Sequence, residues 1–381
     1  MVNAFIDKKI LIAIILLTTF NLLFPFIELM FMGGHEENDD LLIFVLYQFV
    51  GIVLAVFLCS LLSILYIDNE KADRLVFKEK YISKVTFYSA IIFFAIFLTF
   101  YLQHVTSIID IAVFAEQYRN GFYKGSGLYT AGMMQFLPMV MSIMIARFKK
   151  LDFYFYCTLV LLITFSFLLG QRIVLLIVFF FMFIRLLSSR KVIQAYLSAF
   201  ILLCIFVSYK LFLVDSLSFS DTFLHIAGRM RYIYLVHDTG FGLTFSEAFG
   251  FLPYIFSNEF SSLVEWKTFF SLAVPDLLIN MPFIALYSGM AWPFPLVMFN
   301  AFGFFGLILV SPMVILFLFS INKVFSSSSL NQTVWYVYLS FFFFTICIED
   351  IYQFSKMPQM ILLMICVNYY FYFLQKVIIN K

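Results

Sequence analysis

Charged residues are scarce in this chain of 381 residues. Asp, Glu, Lys and Arg together make up 12% of it, whereas hydrophobic residues make up 64%. A net charge of +2 is too small to indicate binding to nucleic acid or to an acidic substrate. Runs of about 20 apolar residues with few charges are what the hydrocarbon core of a bilayer requires of a helix. Composition therefore predicts an all-α polytopic membrane protein.

Cysteine is also rare, and its five copies all lie inside apolar runs without C-x-x-C spacing. This pattern excludes a disulfide framework and a zinc site built from cysteines. No repeat of solenoid period, no Pro/Gly linker and no break in composition divides the chain. The first apolar run has no small-residue cleavage site behind it, so we interpret it as a retained span. We therefore predict one integral membrane domain over residues 1–381.

The apolar runs predict ten transmembrane helices. These spans are 9–29, 41–67, 85–104, 128–147, 151–170, 172–189, 192–212, 291–321, 333–348 and 357–375.

The Lys and Arg residues predict the orientation of these spans. With a cytoplasmic N-terminus, the inside segments hold 16 of the 24 basic residues. Cytoplasmic loops of membrane proteins carry such an excess. Both termini are then cytoplasmic, and the outside holds the acidic tip "GGHEENDD" and all four histidines.

One large external loop, at about 213–290, separates predicted helices 7 and 8. Its segment 269–289 is nearly long enough to span but contains two prolines, Asp276 and Asn280, so we interpret it as re-entrant or interfacial. If segment 269–289 crossed the membrane, the basic C-terminus would lie outside, although basic residues are enriched on the cytoplasmic side. A helix at about 221–238 is predicted earlier in the loop, because Ser220 can cap its start and Gly240 suits its end.

That amphipathic helix gathers an unusual set of polar residues within "HIAGRMRYIYLVHDTGFG". At 100° per residue, His225, Arg229 and Tyr232 share one face, whereas Arg231 and Asp238 lie on another. Arg231 and Asp238 are typical of surface charges that face water or pair with each other. Arg229 has no acidic neighbour in the helix, and its planar guanidinium suits phosphate oxygens. A loop arginine in water, or one that anchors the helix to headgroups, is the alternative.

Three further residues stand out on the predicted external side. Arg172, in "LLGQRIVLL", lies at a span end where a charge is costly unless it snorkels, is paired or is functional. Arg119 lies in a glycine-rich loop with three tyrosines, a composition suited to sugar rings. Glu349, in "ICIEDIYQF", is an interfacial cap or a carboxylate near enough to accept a proton.

Together these features resemble the Wzy-type O-antigen polymerases, which have ten or more spans and an Arg-x10-Gly pattern in their external loops. Arg229 and Gly240 match that pattern, whereas the Arg119 loop has Thr130 where the glycine should stand. "GQR" (170–172) is similar to the Gly-x-Arg turn of polymerases and related ligases, and "NAFGFFG" (300–306) is similar to the opening of the helix after the large loop.

The resemblance implies a GT-C-like polymerase/ligase architecture. It also implies a metal-independent and cofactor-independent transfer of undecaprenyl-diphosphate-linked oligosaccharides at the periplasmic face of the bacterial inner membrane, to make O-antigen or capsule. The partners would be these lipid-linked substrates, the bilayer and a chain-length regulator. The implied catalytic residues are Arg229, His225 and Glu349, with His237 and Asp238 as other candidate bases. The implied substrate-binding residues are Arg119, Arg172, Arg231, Tyr232 and Gly240.

Three other functions stay open. A metal-dependent transferase that uses a polyprenyl-phosphate sugar would employ Glu37 and Asp39, at Glu-x-Asp spacing in the first external loop. A lipid-linked oligosaccharide flippase or other transporter is opposed by the scarcity of ionisable residues inside the spans. A membrane O-acyltransferase would need a histidine near a span end, and His104 is its candidate.

Overall fold

In the computed structural model, the described part of the chain consists of helices joined by short turns, and it contains no β-strand. The described residues are 12–15, 46, 49–58, 79–107, 111, 114, 131–169, 173–213, 298, 302–327, 329–348 and 357–379.

Eight α-helices within these residues receive labels in chain order. They are α1 (Glu79–Leu102), α2 (Leu137–Arg147), α3 (Phe153–Leu169), α4 (Ile173–Ser188), α5 (Val192–Leu213), α6 (Leu307–Ser326), α7 (Leu330–Ile348) and α8 (Met357–Ile379). A π-helix, Ala131–Phe136, precedes α2, and a 3₁₀-helix, Gly303–Gly306, precedes α6.

Two described helices are long and apolar enough to cross a membrane, by length and composition. They are Glu79–Leu102 and Ile308–Ser326, with 24 and 19 residues. Shorter apolar helices accompany them, among them Phe153–Leu169 and Leu175–Ser188. At about 1.5 Å rise per residue, a helix of about 20 residues matches a hydrocarbon core about 30 Å thick. The described architecture is therefore all-helical and compatible with a polytopic membrane protein.

Most helix boundaries lie within a few residues of the predicted spans, with three larger differences. The helix predicted at 85–104 begins at Glu79, because a helix can extend into water through a charged first turn that its apolar stretch does not reveal. The span predicted at 128–147 starts as a π-helix at Ala131 and is α-helical only from Leu137. The span predicted at 291–321 corresponds to α6, which begins at Leu307 and continues to Ser326, whereas residues 291–297 and 299–301 lie outside the described residues. Spans 9–29 and 41–67 are described only in part, at 12–15 and at 46 and 49–58, where the backbone is helical.

Pro138 explains the unusual start of α2. Proline has no backbone N–H, and its ring clashes with the carbonyl group four residues earlier in a regular helix. The chain forms a π-helix over Ala131–Phe136, and α2 follows with the proline in its first turn. A Cβ atom added to Gly132 would lie 2.7 Å from the ring of Phe93, so α1 approaches this segment closely.

Local caps define the turns on either side of α3 and α4. Asp152 accepts a hydrogen bond from the backbone N–H of Phe155 over 3.1 Å, which is an N-cap for α3. Helix α4 ends in a Schellman motif, in which the N–H of Lys191 donates to the carbonyl of Leu186. Arg190 occupies the left-handed position of that motif, with φ of 60°.

The chain divides into two compact units. Unit 1 comprises Met1–Ile67, Phe223–Asn322 and Leu339–Leu362, and unit 2 comprises Asp68–Thr222, Lys323–Tyr338 and Leu363–Lys381. Within unit 1, the rings of Phe317 from α6 and Phe344 from α7 stack with centroids 5.7 Å apart. The prediction of a single domain remains a prediction.

Unit 2 contains helices α1 to α5. Helix α1 packs on α3, and α4 packs on α2, α3 and α5. The buried rings of Phe97 and Phe165 meet edge to face across α1 and α3, with centroids 4.7 Å apart. The hydroxyl groups of Thr86 and Tyr370 lie 2.9 Å apart and connect α1 with the part of α8 that belongs to unit 2. The core therefore combines aromatic packing with a few short polar contacts.

Large apolar side chains also lie on the outside of this unit. Ile92 of α1 is 60% exposed and Ile193 of α5 is 84% exposed. Exposed large apolar side chains recur along α3 and α8 as well. A surface of this kind suits contact with lipid chains, in agreement with the apolar composition.

Candidate functional site

The residues that the sequence predicts for catalysis and substrate binding all lie outside the described part of the chain. They are Arg119, Arg172, His225, Arg229, Arg231, Tyr232, Gly240 and Glu349. The predicted amphipathic helix, the predicted re-entrant segment and the acidic pair Glu37 and Asp39 also lie outside it. Their roles remain predictions.

Described helix ends nevertheless lead directly into these segments. Helix α3 ends at Leu169 and α4 begins at Ile173, so the "GQR" segment with Arg172 connects two consecutive packed helices. Helix α7 ends at Ile348, one residue before Glu349. Helix α5 ends at Leu213, where the predicted external loop begins.

His104, the candidate for an O-acyltransferase, lies in the turn that follows α1. Its backbone N–H donates to the carbonyl of Tyr101 over 3.0 Å. Its ring is exposed and contacts the rings of Phe100 and Phe114, with centroids 4.6 and 6.0 Å away. The described contacts of His104 are thus with aromatic rings at a helix end.

Polar side chains with defined geometry are concentrated elsewhere, at one end of unit 2. We call this region the basic end. Its members are Lys80, Lys84, Arg147, Lys149, Lys150, Arg185, Arg190, Lys191 and Lys323, with the acidic residues Glu79 and Asp152.

Arg185 lies in the last turn of α4 and ties that helix to the end of α2. Its guanidinium donates to the backbone carbonyl oxygens of Ile145 and Lys149, over 2.5 and 3.0 Å. The final carbonyl groups of a helix have no partner within the helix, and a cation there also complements the helix dipole. Arg185 therefore caps α2 from a neighbouring helix.

Glu79 holds the same turn from the other side. Its carboxylate oxygens accept hydrogen bonds from the backbone N–H groups of Lys149 and Lys150, over 2.7 and 3.3 Å. These bonds connect the first residue of α1 with the turn that follows α2. The carboxylate of Glu79 thus binds the N–H groups of the turn, and the guanidinium of Arg185 binds its carbonyl groups.

Arg147 joins the end of α2 to the end of α6. Its Nη1 donates to the backbone carbonyl of Ser327 over 2.7 Å. The hydroxyl of Ser327 in turn lies 2.9 Å from that of Thr333, in the first turn of α7. The start of α1 and the ends of α2, α4 and α6 therefore meet at the basic end.

Part of the Arg147 guanidinium has no partner. Its Nε and Nη2 atoms are enclosed by protein atoms and make no hydrogen bond within the described part of the chain. Glu79 and Asp152 are the acidic residues described in this unit. The carboxylate of Glu79 is bound to the turn, and Oδ1 of Asp152 caps α3.

Arg147 and Arg185 are two of the 16 basic residues that predict the cytoplasmic side, and their contacts were not predicted from the sequence. One signal was available for Arg185, because it interrupts the apolar run "FFFMFIRLLSS" three residues before α4 ends. A charge at that depth is costly unless it is paired. The partners, however, are backbone carbonyls of a different helix, and no sequence pattern identifies those.

Among the described residues, no group of three or more His, Cys, Asp or Glu side chains is placed to hold a metal ion. No protein-family model, curated protein or solved structure matches the chain.

Proposed function

We propose that the chain is a Wzy-type polymerase that joins undecaprenyl-diphosphate-linked oligosaccharide repeat units at the external face of the bacterial inner membrane. The observation that carries the proposal is the Arg-x10-Gly pattern of Arg229 and Gly240, in the long segment between α5 and α6. Ten spans and a GT-C-like arrangement are part of the proposal.

The charge distribution of unit 2 supports the side on which the site is proposed to lie. Basic residues concentrate at cytoplasmic ends of membrane helices, so the basic end is assigned to the cytoplasm. Helix α5 begins there, beside Lys191, and ends at Leu213. The segment that contains Arg229 then starts at the opposite, periplasmic end.

The chemistry suits arginine and requires no nucleotide. The hydroxyl oxygen of the acceptor sugar bonds to the anomeric carbon of the donor, and the bond from that carbon to the diphosphate oxygen breaks. The leaving undecaprenyl diphosphate gains negative charge, which a preorganised guanidinium stabilises. A base, His225 or Glu349, takes the hydroxyl proton. In this scheme Arg119, Arg172 and Tyr232 hold the substrates.

Deletion of the gene tests the function. Loss of a polymerase leaves lipid A core with one repeat unit in place of a ladder, whereas loss of a flippase removes that unit as well. A deletion strain whose lipid A core carries no repeat unit would therefore replace our proposal with a transporter.

Chelation separates the polymerase from a metal-dependent transferase. The purified protein should polymerise lipid-linked repeat units in the presence of EDTA, and so should a variant with Glu37→Ala and Asp39→Ala. Loss of turnover in either test, with the protein still folded, would favour the polyprenyl-phosphate-sugar enzyme.

A further inference from the structure

One buried edge of the Arg147 guanidinium, at the basic end of unit 2, makes no hydrogen bond to the described residues. Nη1 is engaged with the carbonyl of Ser327, and the two nitrogens on the other edge, Nε and Nη2, have no partner in the described part of the chain. These two nitrogens form the parallel donor pair that binds two oxygens of a carboxylate or phosphate. A buried donor without a partner is destabilising, and a charged donor is more so. The edge therefore suits an anion.

The acidic residues of the basic end do not supply that anion. Both oxygens of Glu79 accept hydrogen bonds from the turn after α2. Asp152 holds the start of α3 with one oxygen, and its other oxygen makes no hydrogen bond in the described part of the chain. Of the described residues that define the basic end, nine are basic and two are acidic. The excess of positive charge attracts an anion from outside the protein.

The surroundings of Arg147 indicate where such an anion comes from. Exposed charges and exposed apolar side chains lie within a few residues of each other in the adjoining turns. Phe153, 75% exposed, follows the exposed Lys149 and Lys150, and Ile193, 84% exposed, follows the exposed Lys191. Aromatic and aliphatic groups next to basic ones are typical of the level of lipid headgroups. The phosphate at this level belongs to the bilayer.

We infer that the Nε and Nη2 edge of Arg147 binds the phosphate of an anionic glycerophospholipid in the cytoplasmic leaflet. The exposed Lys149 and Lys150 add favourable charge nearby, and basic pockets between helices on this side of a membrane suit such headgroups. Both nitrogens are enclosed by protein atoms in this structure, so binding requires the half-buried side chain to turn toward the headgroup and to release the carbonyl of Ser327. This inference rests on the placement of the chain in a membrane and not on the polymerase activity.

Lipid binding to the full chain in neutral detergent tests the inference. Dioleoylphosphatidylglycerol should be retained after delipidation and should raise the thermal unfolding midpoint, whereas dioleoylphosphatidylcholine and inorganic phosphate at equal concentration should do neither. Equal effects of both lipids, or an equal effect of inorganic phosphate, would overturn the inference.

Two matched variants test whether the lipid binds at the Nε and Nη2 edge of Arg147. Arg147→Lys keeps the charge but loses the paired donors, and it should weaken phosphatidylglycerol binding about tenfold or more. Arg190→Lys is the control, because Arg190 is exposed at the same end and should bind the lipid like the wild type. Equal binding by the two variants would overturn the inference.

A measurement on the wild type covers the case in which Arg147→Lys does not fold. A phosphatidylglycerol analogue with a photoreactive headgroup should crosslink to the turn at 147–152. Crosslinks that lie only elsewhere would contradict the assignment.

Asp152→Asn tests the alternative that the edge of Arg147 pairs with the carboxylate of Asp152. If Asp152→Asn strengthens lipid binding, Asp152 competes for the edge as an ion-pair partner in the wild type, and the inference is wrong.

Discussion

The hydroxyl groups of Thr86 and Tyr370 lie 2.9 Å apart, so α1 and α8 share a hydrogen bond although 284 residues separate the two positions. Thr86 also donates to the carbonyl of Ile82 in its own helix, and the ring of Tyr370 meets that of Phe136 edge to face. One polar pair thus lies among aromatic contacts from three segments of unit 2.

Tyr370→Phe should lower the free energy of unfolding by about 1 kcal/mol, because it removes this bond and keeps the ring packing. Hydrogen bonds between membrane helices average about 0.6 kcal/mol, so we expect the loss to be somewhat below about 1 kcal/mol. The measurement is the thermal unfolding midpoint of the purified protein in detergent. Tyr369→Phe is the control, because Tyr369 is 69% exposed and should tolerate the change. Equal midpoints for the two variants would contradict a stabilising role for the bond.

Gly132→Ala should destabilise the protein by about 1–3 kcal/mol through overpacking, because its Cβ atom would lie 2.7 Å from the ring of Phe93. The double variant with Phe93→Ala should lose less stability than the sum of the single changes, because the removed ring leaves room for the methyl group. Strictly additive losses would show that the two residues do not meet.

Arg190→Gly should raise the free energy of unfolding by up to about 1 kcal/mol. Arg190 has φ of 60°, a conformation that costs a side-chain-bearing residue about 1–2 kcal/mol and costs glycine little. Part of the gain is offset by the greater freedom of glycine in the unfolded chain. Lys191→Gly is the comparison, because its φ is not positive and glycine should destabilise it. A lower unfolding midpoint for Arg190→Gly than for the wild type would refute this account of the turn.

Arg229→Lys should reduce polymerisation about 10²–10³-fold if the guanidinium binds the leaving diphosphate, because lysine keeps the charge and loses the planar donor pair. The helical spacing predicts that Arg231→Lys is nearly neutral, because it places Arg231 toward water or Asp238; impaired turnover would instead support the substrate-binding role that the resemblance implies. The measurement is turnover of lipid-linked repeat units by purified protein, with the amount of each variant in the membrane as control. Normal activity of Arg229→Ala would remove the proposed site.

The sequence predicts the positions of helices more closely than it predicts the contacts between them. Apolar runs long enough to span a membrane determined where α3, α4 and α5 lie, within one or two residues of prediction, because helix formation depends on local composition. The same runs missed the charged first turn of α1, where Glu79 begins the helix. The π-helix before Pro138 was also missed, although proline supplies its local cause.

The spacing of residues in the sequence alone determined the candidate site around Arg229, and that site remains a prediction. Only the tertiary structure decided what the basic residues contact. Counted only as charges, Arg147 and Arg185 indicate which ends of the helices lie on the cytoplasmic side, because Lys and Arg are enriched there. Their hydrogen bonds go to the backbone of Ser327, Ile145 and Lys149. Carbonyl groups are present at every residue, so which of them accepts a bond depends on how the helix ends meet in space.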